Sequence, residues 1–491
     1  MIERRHFLQL IAGAVVLPLT PQNASAQSAT KPSPSASSVR PLAERLAAYA
    51  HELRYDRLDP TTIERVKAHL IDTLGCGIAA FDERPVRACR EIALAPSAGT
   101  STIVGTSKSA TPDLAAFANA VAFRYYDLND VYVGRPSTHP SDNIAACLAV
   151  AEAEGASAKD LITSIALAYE INCRLVDAFD LSDRGWDATV YSLPAVALAA
   201  GTLMKLPADK LAHAVALALN DHIPLGQTRS GTLSDWKGLA DAEAARNAVF
   251  AAMLARGGIS GPEPIFEGKK GVFALVTGPA QVDVEAFGRP GVPFRIQQCG
   301  MKAYPVVVYG QTTVRAAVEV AKQAGDLARI AAIEIATTKR GYQQAGSDPE
   351  KWTPTSKDTA DHSLPYIAAR AMFDGDIAND SFAPEKLADP AILAFMQKIT
   401  VKEDPEFAKP RGNAPSTRIT ATLTDGKRVT HQVDDIAGFP GKPMTRADID
   451  AKFRNNVGKR WPQARTDGIL RAFWQLEGAA DLPSLLRTLS I

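Results

Sequence analysis

The amino-acid sequence predicts a mainly α-helical protein with a smaller α+β domain. Two observations lead to this prediction. From about residue 41 to 290 apolar residues recur at helical spacing, and from about 328 to 434 short segments alternate apolar and polar residues, as strands do. With 491 residues, of which 46% are hydrophobic and 22% charged, the chain is long enough for two folded units of ordinary globular composition.

The helical part is rich in alanine and has recognisable helix boundaries. Between residues 157 and 179, Leu161, Ile165 and Ala168 follow helical spacing. The segment 240–258 ends in a pair of glycines, which favour the left-handed stop of a helix. Because small residues let helices pack closely, we expect buried central helices here.

The α+β part contains a strand and a hairpin. Residues 328–339 alternate and are β-branched, and residues 416–434 form two alternating runs around Asp425-Gly426, a strong hairpin signal. Helical spacing returns near the C-terminus, and we expect these last helices to pack back on the helical domain. The predicted domains are a helical domain at 41–296 and 436–491, and an α+β lid domain at 297–435.

The N-terminus is typical of an export signal. Residues 1–26 carry Arg4 and Arg5 before a short apolar run, then the small residues Ala24–Ala26. The paired arginines resemble a twin-arginine signal, so a periplasmic or otherwise exported location is predicted. An uncleaved membrane anchor is the alternative, although the run is short against the roughly 20 residues of a span. Residues 27–40 are rich in Ser and Pro and predict a flexible leader.

The charge and cysteine patterns exclude several functions. Lys plus Arg and Asp plus Glu number 54 each, without long runs of one sign, which argues against nucleic acid and membrane-surface partners once the signal is removed. The five cysteines form no CxxC pair, and no G-x-G-x-x-G follows a predicted strand. We therefore expect no metal and no organic cofactor.

The segment 127–143, "DLNDVYVGRPSTHPSDN", gathers acid–base side chains at the start of a helix. Ser141 is the predicted N-cap, and the helix should end near Gly155. His139 lies just outside the positive end of this helix, where the field opposes a charged imidazolium and favours a neutral base. The alternative is an ordinary loop-to-helix cap without a catalytic role.

Three further segments place polar side chains in apolar surroundings. Lysine and arginine are natural partners of carboxylates, so together these segments predict a cation-lined cleft between two domains. Taken singly each is weak, because Trp236 can be core, Lys237 solvated and Asp361 a helix cap. The polar side chains are Arg229, Ser234 and Lys237; Lys302, Tyr304 and Tyr309; and Asp361 with His362.

Four segments, taken together and in order, resemble the MmgE/PrpD family, which includes 2-methylcitrate dehydratase, cis-aconitate decarboxylase and an iminodisuccinate epimerase. They are "DLNDVYVGRPSTHPSDN", "SDWKGLADAEAARNA", "MKAYP" and "DTADHSLPYIAARAMFDG". The resemblance covers about residues 41–485. It implies proton movement at a carbon next to a carboxylate of a small polycarboxylate, without metal or organic cofactor, in a homodimer.

The resemblance also implies site residues. The family's aspartate falls on Asp127, its loop histidine on His139, and its two lysines on Lys237 and Lys302, which are the predicted catalytic residues. His139 or Asp127 would be the base. The predicted substrate-binding residues are Asp130, Arg229, Ser234, Tyr304 and the lid tyrosine, Tyr342.

Departures from the family pattern favour one activity over the others. Val131 stands where the family commonly has a threonine, and Asp187 stands where the decarboxylases carry a second histidine. The spacing from Asp127 to His139 is also about two residues longer than in the decarboxylases. We therefore expect a hydro-lyase similar to 2-methylcitrate dehydratase. An epimerase, isomerase or decarboxylase and a non-catalytic exported carboxylate-binding protein are the alternatives.

Overall fold

The computed structural model describes residues 40–96, 99–409 and 411–491. The predicted signal peptide at 1–26 and all of the predicted leader except Arg40 lie outside the described residues, so both stay predictions. Within the described ranges no helix is long and apolar enough to cross a membrane.

The first part of the chain is helical. Local signals start several of these helices: Asp59 accepts the Thr62 N–H ahead of one, and Ser157 and Asp160 form a capping box at another. The helices are α1 (Leu42–Glu52), α2 (Pro60–Ala79), α3 (Arg84–Leu94), α4 (Pro112–Arg124), α5 (Ile144–Ala153), α6 (Ala158–Ala178), α7 (Ser192–Leu203), α8 (Ala208–Asn220), α9 (Trp236–Arg256) and α10 (Val272–Leu275).

The second part mixes helices and strands, and helices alone follow it. The prediction of a mainly helical protein with a smaller α+β part is therefore confirmed. The remaining helices are α11 (Val308–Ala324), α12 (Lys339–Ala345), α13 (Lys357–Ala360), α14 (Leu364–Asp374), α15 (Pro384–Leu387), α16 (Pro390–Met396), α17 (Arg446–Val457), α18 (Gln463–Trp474) and α19 (Leu482–Arg487).

Within the part of the chain that the structure describes, the strands form three small sheets. β1 pairs with β2, β3 lies between β4 and β5, and the largest sheet has the order β7-β6-β8-β9. In that sheet β6 and β7 are parallel and the other neighbours antiparallel. The strands are β1 (Ser101–Thr102), β2 (Ser109–Ala110), β3 (Asp130–Val133), β4 (Ser137–Thr138), β5 (Gly300–Met301), β6 (Ile330–Thr337), β7 (Ile399–Glu403), β8 (Thr417–Leu423) and β9 (Arg428–Val433).

The hairpin prediction is confirmed. β8 and β9 pair antiparallel on either side of Asp425-Gly426. Gly426 has a φ of 84°, in the left-handed region that favours glycine. The strand predicted at 328–339 is β6, with ends two residues further in.

Among the described residues, buried apolar side chains form two clusters. One contains side chains from α1 to α9 and from the C-terminal helices α17 to α19, of which α17 and α18 pack against α2. The other contains side chains from α11, α14, β6 and β8. β3 contributes Tyr132 to the first cluster and Val131 to the second, so the segment before His139 lies where they meet. The exact domain boundaries given above stay predictions.

The prediction that Ser141 caps a helix is wrong. Residues Pro140–Asn143 form a 3₁₀ turn, and α5 begins only at Ile144. Ser141 Oγ instead accepts a hydrogen bond from Asn129 Nδ2 at 2.9 Å. The cap signal was misleading because a buried amide from an earlier loop competes for the serine hydroxyl. The helix ends at Ala153, close to the predicted Gly155.

Candidate active site

The candidate site is built around Asp127, which follows the C-terminal end of α4. Asp127 is fully buried, and its backbone φ is 52°, in the left-handed region that few residues other than glycine adopt. Aspartate tolerates this region better than most residues, at a cost in backbone energy. Buried residues with such a conformation cluster at functional sites, so Asp127 identifies the loop as a candidate site.

Three cations surround the Asp127 carboxylate. Arg124 Nη1, at the end of α4, donates to Oδ1. Lys302 Nζ donates to the same Oδ1 at 2.7 Å and to the Asp127 carbonyl oxygen at 2.9 Å. Lys237 Nζ lies 3.6 Å from Oδ2, and Oδ2 accepts no hydrogen bond from the described residues. One carboxylate oxygen is therefore saturated and the other is available.

Strand pairing brings Lys302 to Asp127. β3 and β5 are antiparallel, with Asp130 opposite Met301. The Lys302 N–H donates to the Asn129 carbonyl oxygen at 3.4 Å. Because Lys302 directly follows β5, this pairing places it beside the loop that carries Asp127.

Helix packing brings Lys237 to the same carboxylate. Lys237 is the second residue of α9, which packs against α4. Its Nζ lies 3.6 Å from Asp127 Oδ2 and 3.8 Å from Asp361 Oδ1. Both distances are longer than hydrogen bonds, so Lys237 acts on these two carboxylates through its charge.

His139 lies on the side of Asp127 Oδ1, directly before the 3₁₀ turn that leads into α5. Its Nδ1 lies 2.6 Å from the Asp130 carbonyl oxygen. A carbonyl oxygen only accepts, so Nδ1 carries the proton and Nε2 of the neutral ring has a free lone pair. Nε2 lies 3.8 Å from Asp127 Oδ1.

The site combines an ionised carboxylate with a neutral imidazole. Burial lowers the pKa of His139 well below its usual value, and the charges of Arg124 and Lys302 lower it further, against the effect of Asp127. Burial raises the pKa of Asp127, but its three cationic neighbours outweigh burial and hold that pKa well below its usual value. At neutral pH His139 is therefore available as a base.

The two lysines are also affected by burial. Burial lowers the pKa of Lys302 to about 8, although Asp127 opposes the shift. Burial lowers the pKa of Lys237 as well, against the effects of Asp127 and Asp361. Lys302 is therefore mostly charged at neutral pH and loses its proton in mildly alkaline solution.

A second histidine faces the available oxygen of Asp127. His362, between α13 and α14, has Nε2 3.8 Å from Asp127 Oδ2 and Nδ1 2.5 Å from Asp361 Oδ1. Asp361 also pairs with Lys357 Nζ at 2.8 Å. Burial and the charge of Lys237 together lower the pKa of His362 to about 3, against the effect of Asp361.

Arg229 is held between two carboxylates. Its Nε donates to Asp187 Oδ2 at 2.9 Å, and its Nη2 donates to Asp241 Oδ2 at 3.1 Å. Asp241 Oδ2 also lies 3.6 Å from Arg124 Nε. Burial lowers the pKa of Arg229, but the two carboxylates outweigh burial and raise it above its usual value.

These groups meet at one cavity of about 540 Å³. Asp127, His139, His362 and Arg229 line it. A cavity of this size suits a small polar molecule.

The structure brings together the four residues predicted to be catalytic. Asp127 and His139 line the cavity, and the buried Lys237 and Lys302 contact Asp127 from behind the lining. Of the predicted substrate-binding residues, Arg229 lines the cavity, whereas Asp130 lies beneath it. Besides holding His139, Asp130 accepts the Ser141 N–H at 3.1 Å through Oδ1, so it orders the loop.

The structure does not place Ser234, Tyr304 or Tyr342 in the cavity lining. Ser234 is exposed before α9, and Tyr304 is half-buried against the second apolar cluster. Tyr342 is half-buried on α12, although the next two residues, Gln343 and Gln344, do line the cavity. Successive residues of a helix point about 100° apart, so a neighbour of a lining residue need not reach the same cavity.

The sequence had offered weak signals for some charged groups of this site to which it assigned no role. Arg124 precedes Asp127 by three residues, and Asp241 follows Lys237 by four, spacings at which helical side chains meet. The residues without an assigned role are Arg124, Asp142, Asp241 and Lys357; Asp361 and His362 were predicted to lie in the cleft, but not to be catalytic.

The fold and the site define a mainly helical protein with buried carboxylates, lysines and histidines around one cavity, a set of groups suited to proton transfer. The model of the MmgE/PrpD N-terminal domain matches residues 44–285, and that of the MmgE/PrpD C-terminal domain matches residues 304–476. This chain therefore belongs to the MmgE/PrpD family.

Curated relatives include two kinds of lyase. The chain is 25% identical over 464 residues to the cis-aconitate decarboxylase of Homo sapiens, covering 92% of this chain and 95% of the relative. It is 27% identical over 449 residues to the 2-methylcitrate dehydratase of Cupriavidus necator, covering 85% and 90%. The 2-methylcitrate dehydratase of Salmonella typhimurium is also 27% identical, over 431 residues, covering 82% and 87%.

Proposed function

We propose that this chain is a lyase that removes a proton next to a carboxylate of a small polycarboxylate and eliminates water, in the manner of a 2-methylcitrate dehydratase. The observation that supports the proposal is the neutral His139 beside the ionised Asp127 at one cavity. Simple binding of an anion needs cations, whereas a base with a free lone pair serves proton removal.

His139 is the proposed base, in preference to Asp127. Three cations stabilise the Asp127 anion, which makes it a weak proton acceptor. The Nε2 atom of His139 is unprotonated, and its Nδ1 is fixed by the Asp130 carbonyl oxygen. Asp127 keeps Lys302 and Arg124 in place and stabilises the imidazolium that His139 becomes.

The lysines lower the barrier by stabilising negative charge. A carbon next to a carboxylate is a weak acid, so its proton leaves only if the developing enolate charge is stabilised. The Lys237 ammonium is buried behind the lining, 3.6 Å from Asp127 Oδ2, so it is proposed to stabilise the developing negative charge through its own charge and not by a direct hydrogen bond. Lys302 contributes its charge through Asp127.

A substrate screen tests the proposal. Purified protein is incubated with citrate, 2-methylcitrate and cis-aconitate, while enoate absorbance, carbon dioxide and heats of binding are followed. We expect absorbance of a new double bond from a hydroxy acid without release of carbon dioxide. Binding of these acids without turnover would contradict the proposal and support a carboxylate-binding protein.

A decarboxylase is the second candidate, since human cis-aconitate decarboxylase is among the relatives. Asp187, however, stands where the resemblance places the second histidine of the decarboxylases, and two hydrogen bonds from Arg229 hold it. Position 187 therefore does not supply the imidazole that the decarboxylases carry there. Release of carbon dioxide would favour the decarboxylase. Conversion of one stereoisomer of the substrate into another, without formation of a double bond, would favour an epimerase.

We also propose that the chain is exported and acts as a homodimer without a metal. The paired arginines in residues 1–26 support export. Replacing both by lysine should keep the precursor in the cytoplasm; normal export would contradict a twin-arginine signal.

Sedimentation of the purified protein tests the dimer, and a monomer at micromolar concentration would contradict it. Full activity is expected after chelator treatment, and recovery only with one divalent ion would contradict the metal-free proposal.

A further inference from the structure

The cavity holds two histidines that face opposite oxygens of one carboxylate. His139 Nε2 lies 3.8 Å from Asp127 Oδ1, and His362 Nε2 lies 3.8 Å from Asp127 Oδ2. Both rings line the cavity, with 14% and 11% of their side chains exposed. A ligand beside Asp127 would therefore lie within reach of both rings.

Asp361 fixes the orientation of His362. The carboxylate lies 2.5 Å from Nδ1, and a carboxylate only accepts, so Nδ1 carries a proton and Nε2 is the reactive nitrogen. Lys357 pairs with Asp361 at 2.8 Å, and Lys237 lies 3.8 Å away. The arrangement of a carboxylate behind an imidazole orients catalytic histidines in other enzymes.

Asp361 is not needed as a helix cap. The residue that caps α14 is Ser363, whose hydroxyl accepts the Tyr366 N–H at 3.1 Å. Among the described residues, the Asp361 carboxylate instead pairs with Lys357 and Lys237 and accepts a hydrogen bond from the neutral ring of His362. A structural role at the start of α14 therefore does not account for it.

We propose that His362 is the second acid–base group of this site, opposite His139, and that Asp361 is its positioning residue. The inference rests on the proposed elimination of water. His139 Nε2 accepts the proton of the C–H bond, and the electron pair of that bond forms the double bond. The C–O bond breaks with its electron pair, and the departing hydroxyl takes the proton of the His362 imidazolium and leaves as water.

The protons of this cycle come from solvent and return to it. The ligand-free His362 ring is neutral, because burial and Lys237 lower its pKa. A bound polycarboxylate brings several negative charges beside the ring, and negative charge raises the pKa of an imidazole. His362 then takes a proton from solvent through its exposed edge, and after each turnover His139 releases one.

Once the wild-type protein has been shown to be active, variants of His362 test the role of this residue. His362→Asn should lower kcat by about 10²–10⁴, as expected for a lost acid–base group, with little change in KM. Added imidazole should partly restore the activity of His362→Ala. It should not restore the activity of Asp361→Asn, because that variant keeps the His362 ring. His51→Asn, on the exposed face of α1, is the matched control and should keep wild-type kcat and melting temperature.

Two measurements separate this inference from the proposed function. If wild-type protein is active and a folded His362→Asn variant keeps near wild-type kcat, the inference is wrong while the proposed function stands. If wild-type protein turns over none of the acids, the proposed function fails, and ¹⁵N NMR of the imidazoles decides the inference. Protonation of His362 Nε2 on addition of citrate would support it, and an unchanged Nε2 signal with every acid would overturn it.

Discussion

Two walls of the cavity use ion pairs in opposite ways. On the Asp127 wall, one carboxylate lies among three cations and beside His139. On the Arg229 wall, one guanidinium lies between the carboxylates of Asp187 and Asp241. The Asp127 carboxylate therefore has more cationic than anionic neighbours, whereas the Arg229 guanidinium has two anionic partners.

The difference suggests that one wall attracts the substrate and that the other holds side chains in position. A polycarboxylate is expected to be attracted by the three cations around Asp127. The charge of Arg229 is already balanced twice, so this arginine mainly orders its surroundings.

The largest effect is expected from Asp127→Asn. The substitution leaves three buried cations without their shared anion, and breaking a buried ion pair from one side costs about 3–5 kcal/mol. Urea denaturation should show this loss, and activity should disappear. Asp183→Asn removes an exposed carboxylate 3.9 Å from Arg340 and should change stability by less than about 1 kcal/mol. Equal stability of the two variants would contradict the cation-rich wall.

His139→Ala should have the next largest effect. A lost general base lowers kcat by about 10²–10⁴ while the cations that bind the substrate remain. Stopped-flow or steady-state kinetics measure kcat, and calorimetry measures binding. The melting temperature shows whether the loop of His139 stays ordered. Near wild-type turnover by a folded variant would assign the base elsewhere.

The rate should also depend on the charge of Lys302. Its pKa is lowered to about 8 by burial, so the ammonium is present below pH 8 and lost above it. The enolate then loses part of its stabilisation, and kcat/KM should fall as pH rises through about 8. Lys302→Arg keeps a charge at all these pH values and should flatten this limb if it folds. A rate that rises steadily to pH 10 in the wild type would contradict the prediction.

The smallest effect is expected on the Arg229 wall. Asp187→Asn removes one of two carboxylates, and the remaining Asp241 keeps Arg229 in place. Partial release of the Arg229 charge towards the cavity should lower KM for polycarboxylates by about two- to fivefold, the effect of a partly exposed ion pair. Titration calorimetry and KM measure it, and kcat should stay close to wild type. A rise in KM would show that the negative charge itself helps binding.

The sequence by itself determined the local elements and the family. Alternation and Asp425-Gly426 predicted the β8–β9 hairpin, because turn chemistry is set by adjacent residues. Helical spacing predicted most of the helical part for the same local reason. The four quoted segments led to the MmgE/PrpD family, and they contain Asp127, His139, Lys237 and Lys302.

Only the tertiary structure decided which side chains meet. Asp127 and Lys302 are 175 residues apart, and the pairing of β3 with β5 joins them. The same applies to His362, which periodicity placed before a helix and which packing places against Asp127. Ser141 shows the converse: a cap pattern of adjacent residues is overridden by the buried amide of Asn129, twelve residues earlier. Local spacing encodes backbone conformation, whereas burial and charge depend on contacts between segments far apart in the chain, and those contacts determine the pKa of each group.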